Sequence, residues 1–444
     1  MKMTTPIKDF VDSYAEKNGV RAHMPGHKGK MLTGCEKWDI TEIKGADFLY
    51  GAEGIIAQSE KNASKLFSSA RTLYSTEGSS LCIRAMLFSV MPFLNERPYI
   101  LAGRNVHASF IYACAMLDID IGWLMPENPS SLSLCQCLIS PEGLKAALDK
   151  AERRPFAVYV TSPDYLGGML DIAGLSRVCQ SFGIPLLVDN AHGAYLKFLR
   201  ESAHPMDLGA SLCCDSAHKT LPVLTGGAYL HISQKGLSYI KRDPKKAMAA
   251  FGSTSPSYLI LRSLDACCSL LFKGYAERLE RTCHYISELK DSIKEMGYTV
   301  LPSDPLKLTV ADEKGGEEMA LWLRQMGIEP EFADRSAVVL MFTPENGQGD
   351  FERVEEAFML HKPHAPSQAP RFDIALKQAL SVREAIFSES ENIPVERSEG
   401  RICAKPSVFC PPAVPPVISG EVITAETVKA LEYWGIENID VLKF

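Results

Sequence analysis

Lys219 follows a histidine and precedes two glycines in the segment DSAHKTLPVLTGGAYLHI (215–232). A lysine on a surface turn is the ordinary explanation, because most lysines are exposed. The alternative is a lysine that forms a covalent imine with a carbonyl compound, since a desolvated lysine readily gives up its proton. The choice depends on which other polar residues accompany it.

Three other segments carry groups that could bind a phosphorylated heterocycle. In EGSS, Ser79 and Ser80 precede a helical pattern, where hydroxyls, N–H groups and a helix dipole could bind an anion, although ordinary turn chemistry is the alternative. Asp189 ends the apolar run of LLVDNAHGA, and could hold a protonated ring nitrogen or cap the segment that follows. His107 follows another apolar run and offers either a flat ring for stacking or a core histidine.

Together these groups match the needs of pyridoxal phosphate (PLP). The cofactor has a phosphate, a pyridine nitrogen to keep protonated, a ring face to pack and an aldehyde that a lysine can hold. An anion-binding turn, a strand-end aspartate, a histidine and a lysine 30 residues after the aspartate supply one group for each. The combination predicts a PLP enzyme more strongly than any member alone.

Alternating strand and helix patterns from about residue 55 to 235 would position these residues. Short apolar runs ending in polar residues alternate with amphipathic patterns such as DIAGLSRVCQSFG, in which Gly183 occupies the expected C-terminal cap. The alternation predicts an α/β fold with a mainly parallel sheet, whose ligands bind at the carboxyl ends of the strands. The polar candidates at those ends are Ser79, His107, Asp164, Asp189 and Lys219.

The pattern changes after residue 257. A long helical pattern over 258–296 leads into strand and helix candidates that predict a smaller α+β lobe. The connector HKPHAPSQAPRFD and the tail around FCPPAVPPVISGE are too rich in proline for regular structure. We expect an N-terminal arm over 1–45, a PLP-binding domain over 46–290 and a small C-terminal domain over 291–444.

Composition favours a soluble protein. The net charge of −7 gives no electrostatic reason to expect nucleic acid or an anionic membrane as a partner. Apolar runs such as AMLFSVMPFL fall short of the ~20 residues of a membrane span, and the first residues lack the apolar core of a signal peptide. We therefore expect a cytoplasmic protein whose thirteen cysteines are reduced thiols.

Metal binding is not expected. The cysteines form a lone CxC at 135–137 and adjacent pairs at 213–214 and 267–268, without the spacing of a zinc site. His23 and His27 are four residues apart, but the Pro-Gly between them prevents a helix that would place both on one face.

Nearly the whole chain resembles the Orn/Lys/Arg decarboxylase family, the basic amino acid decarboxylases with the aspartate-aminotransferase-like (fold type I) PLP architecture. The Ser-x-His-Lys-Thr run with the downstream TSPSY is the most specific part. The matching segments are HMPGHKG, WDITEIKGADFLYGAEGIIAQSEKNASKLF, STEGSS, GRNVHASF, TSPDYLGGMLDI, VDNAHGAY, DSAHKTLPVLTGGAYL, GSTSPSY and EGRICAKPSVFCPPAVPPVISGE. The length is similar to the compact form that lacks an extra N-terminal wing domain.

The resemblance implies roles around the cofactor ring. Lys219 would bind the aldehyde covalently, and Asp189 would pair with the pyridine nitrogen. His107 would stack on one face of the ring, with Ala191 against the other and His192 beside the cofactor.

The resemblance also implies a phosphate site shared between two subunits. The phosphate would lie among Ser79, Ser80, Ser216 and His218. Ser253 would reach the phosphate of the neighbouring subunit in a homodimer. The proton that completes the reaction would come from Lys219 or His218.

The implied activity is decarboxylation of arginine, lysine or ornithine to agmatine, cadaverine or putrescine, a step of polyamine biosynthesis. Compact members lean towards arginine. The basic end of the substrate would need acidic or carbonyl groups, for which Glu53, Glu77 and Asp164 are candidates.

Several residues depart from the family pattern. The usual His-Lys-Ser is His107-Ala108-Ser109, and the usual Asp-Glu-Ala-His is Asp189-Asn190-Ala191-His192. Lys405 stands where glutamate is common and Cys410 where tyrosine is common. These changes leave the cofactor residues intact and put the substrate in question.

Two alternative functions remain open. One is another fold-type-I reaction such as transamination, which usually needs an arginine of the C-terminal lobe for the substrate carboxylate; Arg335, Arg371 and Arg401 are available. The other is a catalytically silent PLP-binding regulatory partner, which the departures in the tail would permit.

Overall fold

The computed structural model describes residues 3–17, 19–93, 96–127, 134–312, 315–364, 372, 377–406 and 413–443. The chain folds into two compact units. The first comprises Met1–Phe93 and Ile172–Glu280, and the second comprises Leu94–Asp171 and Arg281–Phe444. The domain boundaries expected at residues 45 and 290 stay a prediction.

Helices and strands alternate through most of the chain. The α-helices are α1 Pro6–Glu16, α2 Ile55–Leu66, α3 Gly78–Val90, α4 Ala108–Leu117, α5 Pro141–Lys150, α6 Ile172–Ser181, α7 Ala217–Thr220, α8 Pro244–Phe251, α9 Tyr258–Phe272, α10 Tyr275–Glu295, α11 Gly316–Gln325, α12 Gln348–Met359, α13 Val382–Phe387 and α14 Ala425–Tyr433. The strands are β1 Arg71–Ser75, β2 Tyr99–Gly103, β3 Asp120–Leu124, β4 Val158–Thr161, β5 Leu186–Asp189, β6 Leu212–Asp215, β7 Ala228–Ile232, β8 Thr299–Leu301, β9 Lys307–Ala311, β10 Phe332–Ala333, β11 Ala337–Met341, β12 Ser390–Pro394 and β13 Asn438–Leu442. Short 3₁₀ helices lie at Leu49–Gly51, Ala194–Phe198, Gly236–Tyr239 and Val395–Arg397.

A seven-stranded sheet has the order β1-β7-β6-β5-β4-β2-β3. Strand β2 pairs in parallel with β3 and β4, and β5 pairs in parallel with β6. Strand β7 is antiparallel to both of its neighbours, β1 and β6. The predicted α/β fold with a mainly parallel sheet is confirmed.

In the first unit, buried apolar elements position the polar residues at the strand ends. Strands β5, β6 and β7 are buried along their whole length. Helix α3 is apolar on most of its faces and buries eight of its residues, which is typical of a helix enclosed in a core. The N-terminus of α3 is therefore held in place by packing.

The second unit contains the predicted smaller lobe. Strands β8 to β11 form an antiparallel sheet of order β10-β11-β9-β8. In the sequence, β8 and β9 lie between α10 and α11, and β10 and β11 lie between α11 and α12. A separate pair, β12–β13, has a core made of Val395, Cys403, Val417, Ile423, Leu431, Ile439 and Val441. Neither this pair nor helices α13 and α14 were predicted from the sequence.

The twelve described cysteines form no disulfide, and ten of them are buried. Among the described residues, no helix has the length and apolar character needed to cross a membrane. His23 and His27 lie on bends and turns, as the Pro-Gly between them predicts. Arg371, Cys410 and parts of both proline-rich segments lie outside the described residues.

Candidate active site

Lys219 lies on the single helical turn α7, directly after strand β6. Its side chain is half-buried, and its Nζ lies 2.9 Å from Nε2 of His192. His192 is itself buried, three residues after the end of β5. Two predicted site residues, 27 positions apart, are therefore in direct contact.

Asp189 is the last residue of β5 and is only 2% exposed. Its Oδ1 accepts a hydrogen bond from the Ala191 N–H at 3.2 Å and lies 3.6 Å from the thiol of Cys214. The bond to Ala191 has the form of the predicted cap. A carboxylate at this strand end is the group that can accept a charge-assisted hydrogen bond from a protonated ring nitrogen.

Two serines meet at the start of α3. The Ser216 hydroxyl donates to Oγ of Ser79 at 2.8 Å, which joins the residue after β6 to the first turn of α3. Ser80 lies half-buried in the same turn. The first N–H groups of a helix have no partner within the helix, so this turn offers hydroxyl and backbone donors to an anion.

Gly226 allows its backbone to lie close to the backbone of residues 76–78 at the start of α3. The Gly78 N–H donates to the Gly226 carbonyl at 2.7 Å. Gly226 has φ +94°, and a Cβ there would lie 2.9 Å from the carbonyl oxygen of Thr76. A Cβ on Gly227 would lie 2.3 Å from the side chain of Val223.

His218 faces the same glycine pair. Its Nδ1 lies 3.0 Å from the Gly227 carbonyl, which can only accept, so Nδ1 carries the proton. Burial lowers the pKa of the His218 ring. In the neutral ring Nε2 is then an acceptor, and donation to a phosphate oxygen would need the charged form.

Ser253 lies close to the start of α3 within the same chain. Its N–H donates to Oε1 of Glu77 at 2.7 Å, and the Tyr50 hydroxyl donates to the same oxygen at 3.4 Å. Both Ser253 and Glu77 are exposed, as is Glu53. The role of Ser253 toward a neighbouring subunit stays a prediction.

His107 belongs to the second unit, where it is the N-cap of α4. Its Nδ1 accepts from the Ser109 N–H at 3.1 Å, with Ser109 Oγ 2.8 Å from the same nitrogen. These contacts fix the ring by one edge and leave it half-buried. Its stacking role stays a prediction.

Arg104, also in the second unit, is held by a buried ion pair three residues before His107. Its guanidinium donates to both oxygens of Glu421, at 2.7 and 2.8 Å, and neither side chain is more than 2% exposed. The pair joins the end of β2 to the C-terminal segment. It was not predicted.

Asp164, after β4 in the second unit, is buried. Its Oδ1 accepts from the Gly168 N–H at 2.7 Å, and Lys307 donates to its backbone carbonyl at 2.9 Å. Burial raises the pKa of the Asp164 carboxyl to about 7. The group therefore titrates near neutral pH.

The arginines considered for a transaminase have partners within the C-terminal lobe. Arg335 donates to the Tyr433 carbonyl at 2.7 Å, and Arg401 donates to Glu391 at 2.7 Å. Arg371 lies outside the described residues.

One buried group of residues in the first unit was missed by the sequence analysis. Asp215 accepts hydrogen bonds from His204 and His231 through one oxygen and from Asn190 through the other; these four residues are called the Asp215 network. A histidine inside the apolar strand AYLHI was the available signal, because a buried ring needs a polar partner.

The groups gathered in the first unit fit PLP chemically. A half-buried lysine, a buried carboxylate and a helix N-terminus lined with hydroxyls lie at the ends of β5, β6 and β1. They correspond to the aldehyde, the ring nitrogen and the phosphate of the cofactor.

Comparison with curated proteins points to amino acid decarboxylases. The chain is 27% identical to the arginine decarboxylase of Bacillus subtilis (strain 168), over 98% of this chain and 94% of that protein. It is 26% identical to the arginine decarboxylase of Bacillus anthracis, over 97% of this chain and 92% of that protein.

Solved structures share the fold. The lysine decarboxylase of Francisella novicida superposes with a TM-score of 0.83 at 16% identity, covering 99% of this chain and 81% of the other. An alanine–glyoxylate aminotransferase from Nostoc sp. superposes with a TM-score of 0.56 at 14% identity, covering 68% of this chain and 85% of the other. At these identities the likeness concerns the fold alone.

Family models cover most of the sequence. The model described as Orn/Lys/Arg decarboxylase, major domain, matches residues 5–312, and the corresponding C-terminal domain model matches residues 364–438. The chain belongs to the Orn/Lys/Arg decarboxylase family of carboxy-lyases.

Proposed function

We propose that the protein is a PLP-dependent decarboxylase of a basic amino acid, with arginine as the preferred substrate. Membership of the family supports the reaction, and relatives named arginine decarboxylase support the substrate. The observation that carries the proposal is the contact of Lys219 with His192, one strand away from the buried Asp189.

In this proposal the cofactor is held by residues of the first unit. Lys219 would bind its aldehyde, Asp189 would accept from its protonated ring nitrogen, and Ala191 would pack against the ring. Its phosphate lies among Ser79, Ser80, Ser216 and His218. When bound, PLP accepts the electron pair that remains when the substrate carboxylate leaves as CO₂.

The side chains of this chain then have separate tasks. Asp189 keeps a negative charge beside the ring nitrogen, where a charge-assisted hydrogen bond favours the protonated form. His192 can take a proton from Nζ of Lys219 and return it, because the two nitrogens lie within hydrogen-bond distance. Lys219 or His218 supplies the proton to the substrate carbon.

The basic end of the substrate calls for an acidic residue. Glu53 and Glu77 are exposed carboxylates of the first unit, whereas Asp164 is buried in the second. A guanidinium can be bound bidentately by a carboxylate, which favours an acidic side chain over a carbonyl for arginine. We propose that Lys405 and Cys410 make the substrate preference of this protein differ from that of other family members.

We also propose a cytoplasmic homodimer with two composite sites, in which Ser253 reaches the phosphate held by the other subunit. The exposed position of Ser253, on a loop bonded to Glu77 beside α3, supports this. Transamination and a catalytically silent role remain the competing functions. The engagement of Arg335 and Arg401 within the C-terminal lobe favours decarboxylation over transamination.

Reduction of the purified protein with borohydride tests the cofactor assignment. We expect a yellow protein whose colour is bleached by the reductant, and a pyridoxyl group on the tryptic peptide that contains Lys219. An exposed lysine such as Lys235 should remain unlabelled. A label on another lysine would contradict the assignment.

A further inference from the structure

The Asp215 network is buried and adjoins the candidate active site in the chain, because Asn190 follows Asp189 and Asp215 lies four residues before Lys219. Asp215 Oδ2 lies 3.0 Å from Nε2 of His204 and 3.1 Å from Nε2 of His231, and Oδ1 accepts from Nδ2 of Asn190 at 2.7 Å. All four side chains belong to residues with no exposed surface. Three hydrogen bonds converge on Asp215, while Oδ1 of Asn190 is buried without a hydrogen-bond partner among the described residues.

The protons of the Asp215 network can be assigned from its outer contacts. The Met206 N–H donates to Nδ1 of His204, so the proton of that ring lies on Nε2 and points at Asp215. In His231, Nδ1 lies 2.8 Å from the Thr72 hydroxyl, and Nε2 again faces Asp215. Asp215 thus accepts from two imidazoles and one amide.

Asp215 is the anionic centre of this arrangement. Burial alone raises its pKa, but the charges and hydrogen bonds of His204 and His231 outweigh burial and hold the pKa well below its usual range. Burial lowers the pKa of His231. A charged acceptor makes each of the three hydrogen bonds stronger than its neutral equivalent.

His204 and His231 could also ligate a metal ion together with Asp215, because the ligand atoms of the three residues lie within 4.8 Å of one another. A cation there would have to displace both Nε2 protons from a fully buried cluster. The hydrogen bonds already satisfy the three groups, so the geometry favours protons over a metal.

Asn190 connects the Asp215 network to the reactive side chains. It lies between Asp189 and Ala191, its N–H donates to the Cys214 carbonyl at 2.9 Å, and its own carbonyl accepts from Gly193 at 2.8 Å. His192 lies inside that turn. Asn190 therefore fixes the turn of His192, while Asp215 begins the segment that ends in Lys219.

We propose that Asp215 is a positioning residue that acts through Asn190 to set the alignment of His192 with Lys219. The inference rests on the proposed function of Lys219. Nδ2 of Asn190 donates to Oδ1 of Asp215 at 2.7 Å. The amide of Asn190 is thus matched to the carboxylate of Asp215.

A reciprocal exchange tests the proposal. Asp215→Asn places two amides opposite each other, and Asn190→Asp places two carboxylates opposite each other. The double variant again pairs one carboxylate with one amide. Asn190→Ser removes the amide without adding charge, and serves if the charged single variant fails to fold. A double-mutant cycle of this kind isolates the pairwise effect.

The first measurement needs neither cofactor nor substrate. In cofactor-free protein, the rate at which an amine-reactive reagent labels Lys219 is followed against pH by mass spectrometry. We expect the pH midpoint of Lys219 labelling to move by about 0.5–1 pH unit in the single variants, because the pKa of a group depends on its hydrogen bonds. In the double variant the midpoint should return to within about 0.2 pH unit of the wild-type value. Labelling of the exposed Lys235 is the internal control.

The second measurement uses the cofactor-loaded enzyme. We expect kcat to fall about 10–100-fold in the single variants with KM changed less than about threefold, and kcat to recover in the double variant, as for lost alignment of a reacting group. Folded single variants with wild-type Lys219 labelling would overturn the proposal, as would a double variant no better than the worse single one. Stoichiometric metal in the purified protein would also overturn it. Absence of decarboxylation with an intact labelling effect would instead reject only the proposed function.

Discussion

At the residue scale, Lys219 and His192 have complementary requirements. A lysine must lose its proton before it can attack an aldehyde, and a histidine within hydrogen-bond distance can accept it. Asp189 accepts from the Ala191 N–H, and Ser79 accepts from the Ser216 hydroxyl, so these groups are positioned by their own backbone and side-chain contacts. Covalent attachment and non-covalent binding of the cofactor should therefore be separable.

Replacing the lysine separates them. We expect Lys219→Ala to retain PLP through its phosphate and ring nitrogen but to carry no covalent pyridoxyl group after borohydride reduction. Turnover should fall by several orders of magnitude, as is typical for the loss of a covalent catalytic group. Lys235→Ala, at an exposed position of the same unit, is the control and should behave as wild type. Decarboxylation near the wild-type rate in Lys219→Ala would reject the assigned role.

Asp164 leads to a prediction about stability and pH. Its pKa is about 7 in the folded chain, above the value near 3.9 of an unfolded aspartate. Between these values the folded state keeps a proton that the unfolded state releases, so stability falls as pH rises through this window and the loss is complete above pH 7.

Asp164→Asn removes this penalty and keeps an oxygen for the Gly168 N–H. We expect the free energy of unfolding of the variant, relative to wild type, to rise by about 2–3 kcal/mol between pH 5 and pH 8, at about 1.4 kcal/mol per pKa unit. Denaturant titrations at both pH values measure it. Asp149→Asn, on an exposed face of α5, reports the ordinary effect of removing a carboxylate. A pH-independent difference would reject the raised pKa.

At the element scale, the junction of β7 with α3 depends on a glycine. Gly226→Ala adds a left-handed strain of about 1–2 kcal/mol and a contact with the Thr76 carbonyl. We expect a lower melting temperature and a PLP affinity reduced at least tenfold, because the anion-binding turn is displaced. Gly400→Ala, at φ +79° with open space around it, carries the strain alone. Equal PLP affinity in both variants would show that the close approach of the Gly226 backbone to the Thr76 carbonyl is not needed for PLP binding.

The same elements show what the sequence could predict. β5 and β7 are continuous apolar runs with turn residues at their ends, so their type and boundaries were predictable, and with them Asp189. Strand β6 was missed, because LCCD is short and lies between polar segments. The pair β12–β13 was missed because SENIP alternates polar residues and ends in proline.

Long-range contacts limited the prediction of the site. Adjacent sequence positions revealed the turn of Lys219, but the pairing of Asn190 with Asp215 depends on the register of β5 against β6. Likewise, His204 reaches Asp215 from a loop whose path no local pattern specifies. Sequence reasoning therefore identified the proposed cofactor-binding residues by motif and missed the residues that support them.

At the scale of the whole molecule, composite sites require an assembled dimer. We expect Ser253→Trp to weaken cofactor retention without unfolding the subunit, because the exposed serine is proposed to face the other subunit's phosphate. Ser181→Trp, at an exposed position on α6, is the matched control. Sedimentation at assay concentration measures the assembly, and a fully active monomer would contradict the composite site.

Release of CO₂ from carboxyl-labelled amino acids tests the central claim most directly. Purified, PLP-loaded protein is assayed with arginine, lysine and ornithine, with aspartate and glutamate as acidic controls and Lys219→Ala as the enzyme control. We predict the highest kcat/KM for arginine, measurable release from at least one basic amino acid, none from the acidic controls, and loss of release in Lys219→Ala. Failure to release CO₂ from any basic amino acid, with PLP bound at Lys219, would contradict the proposed function.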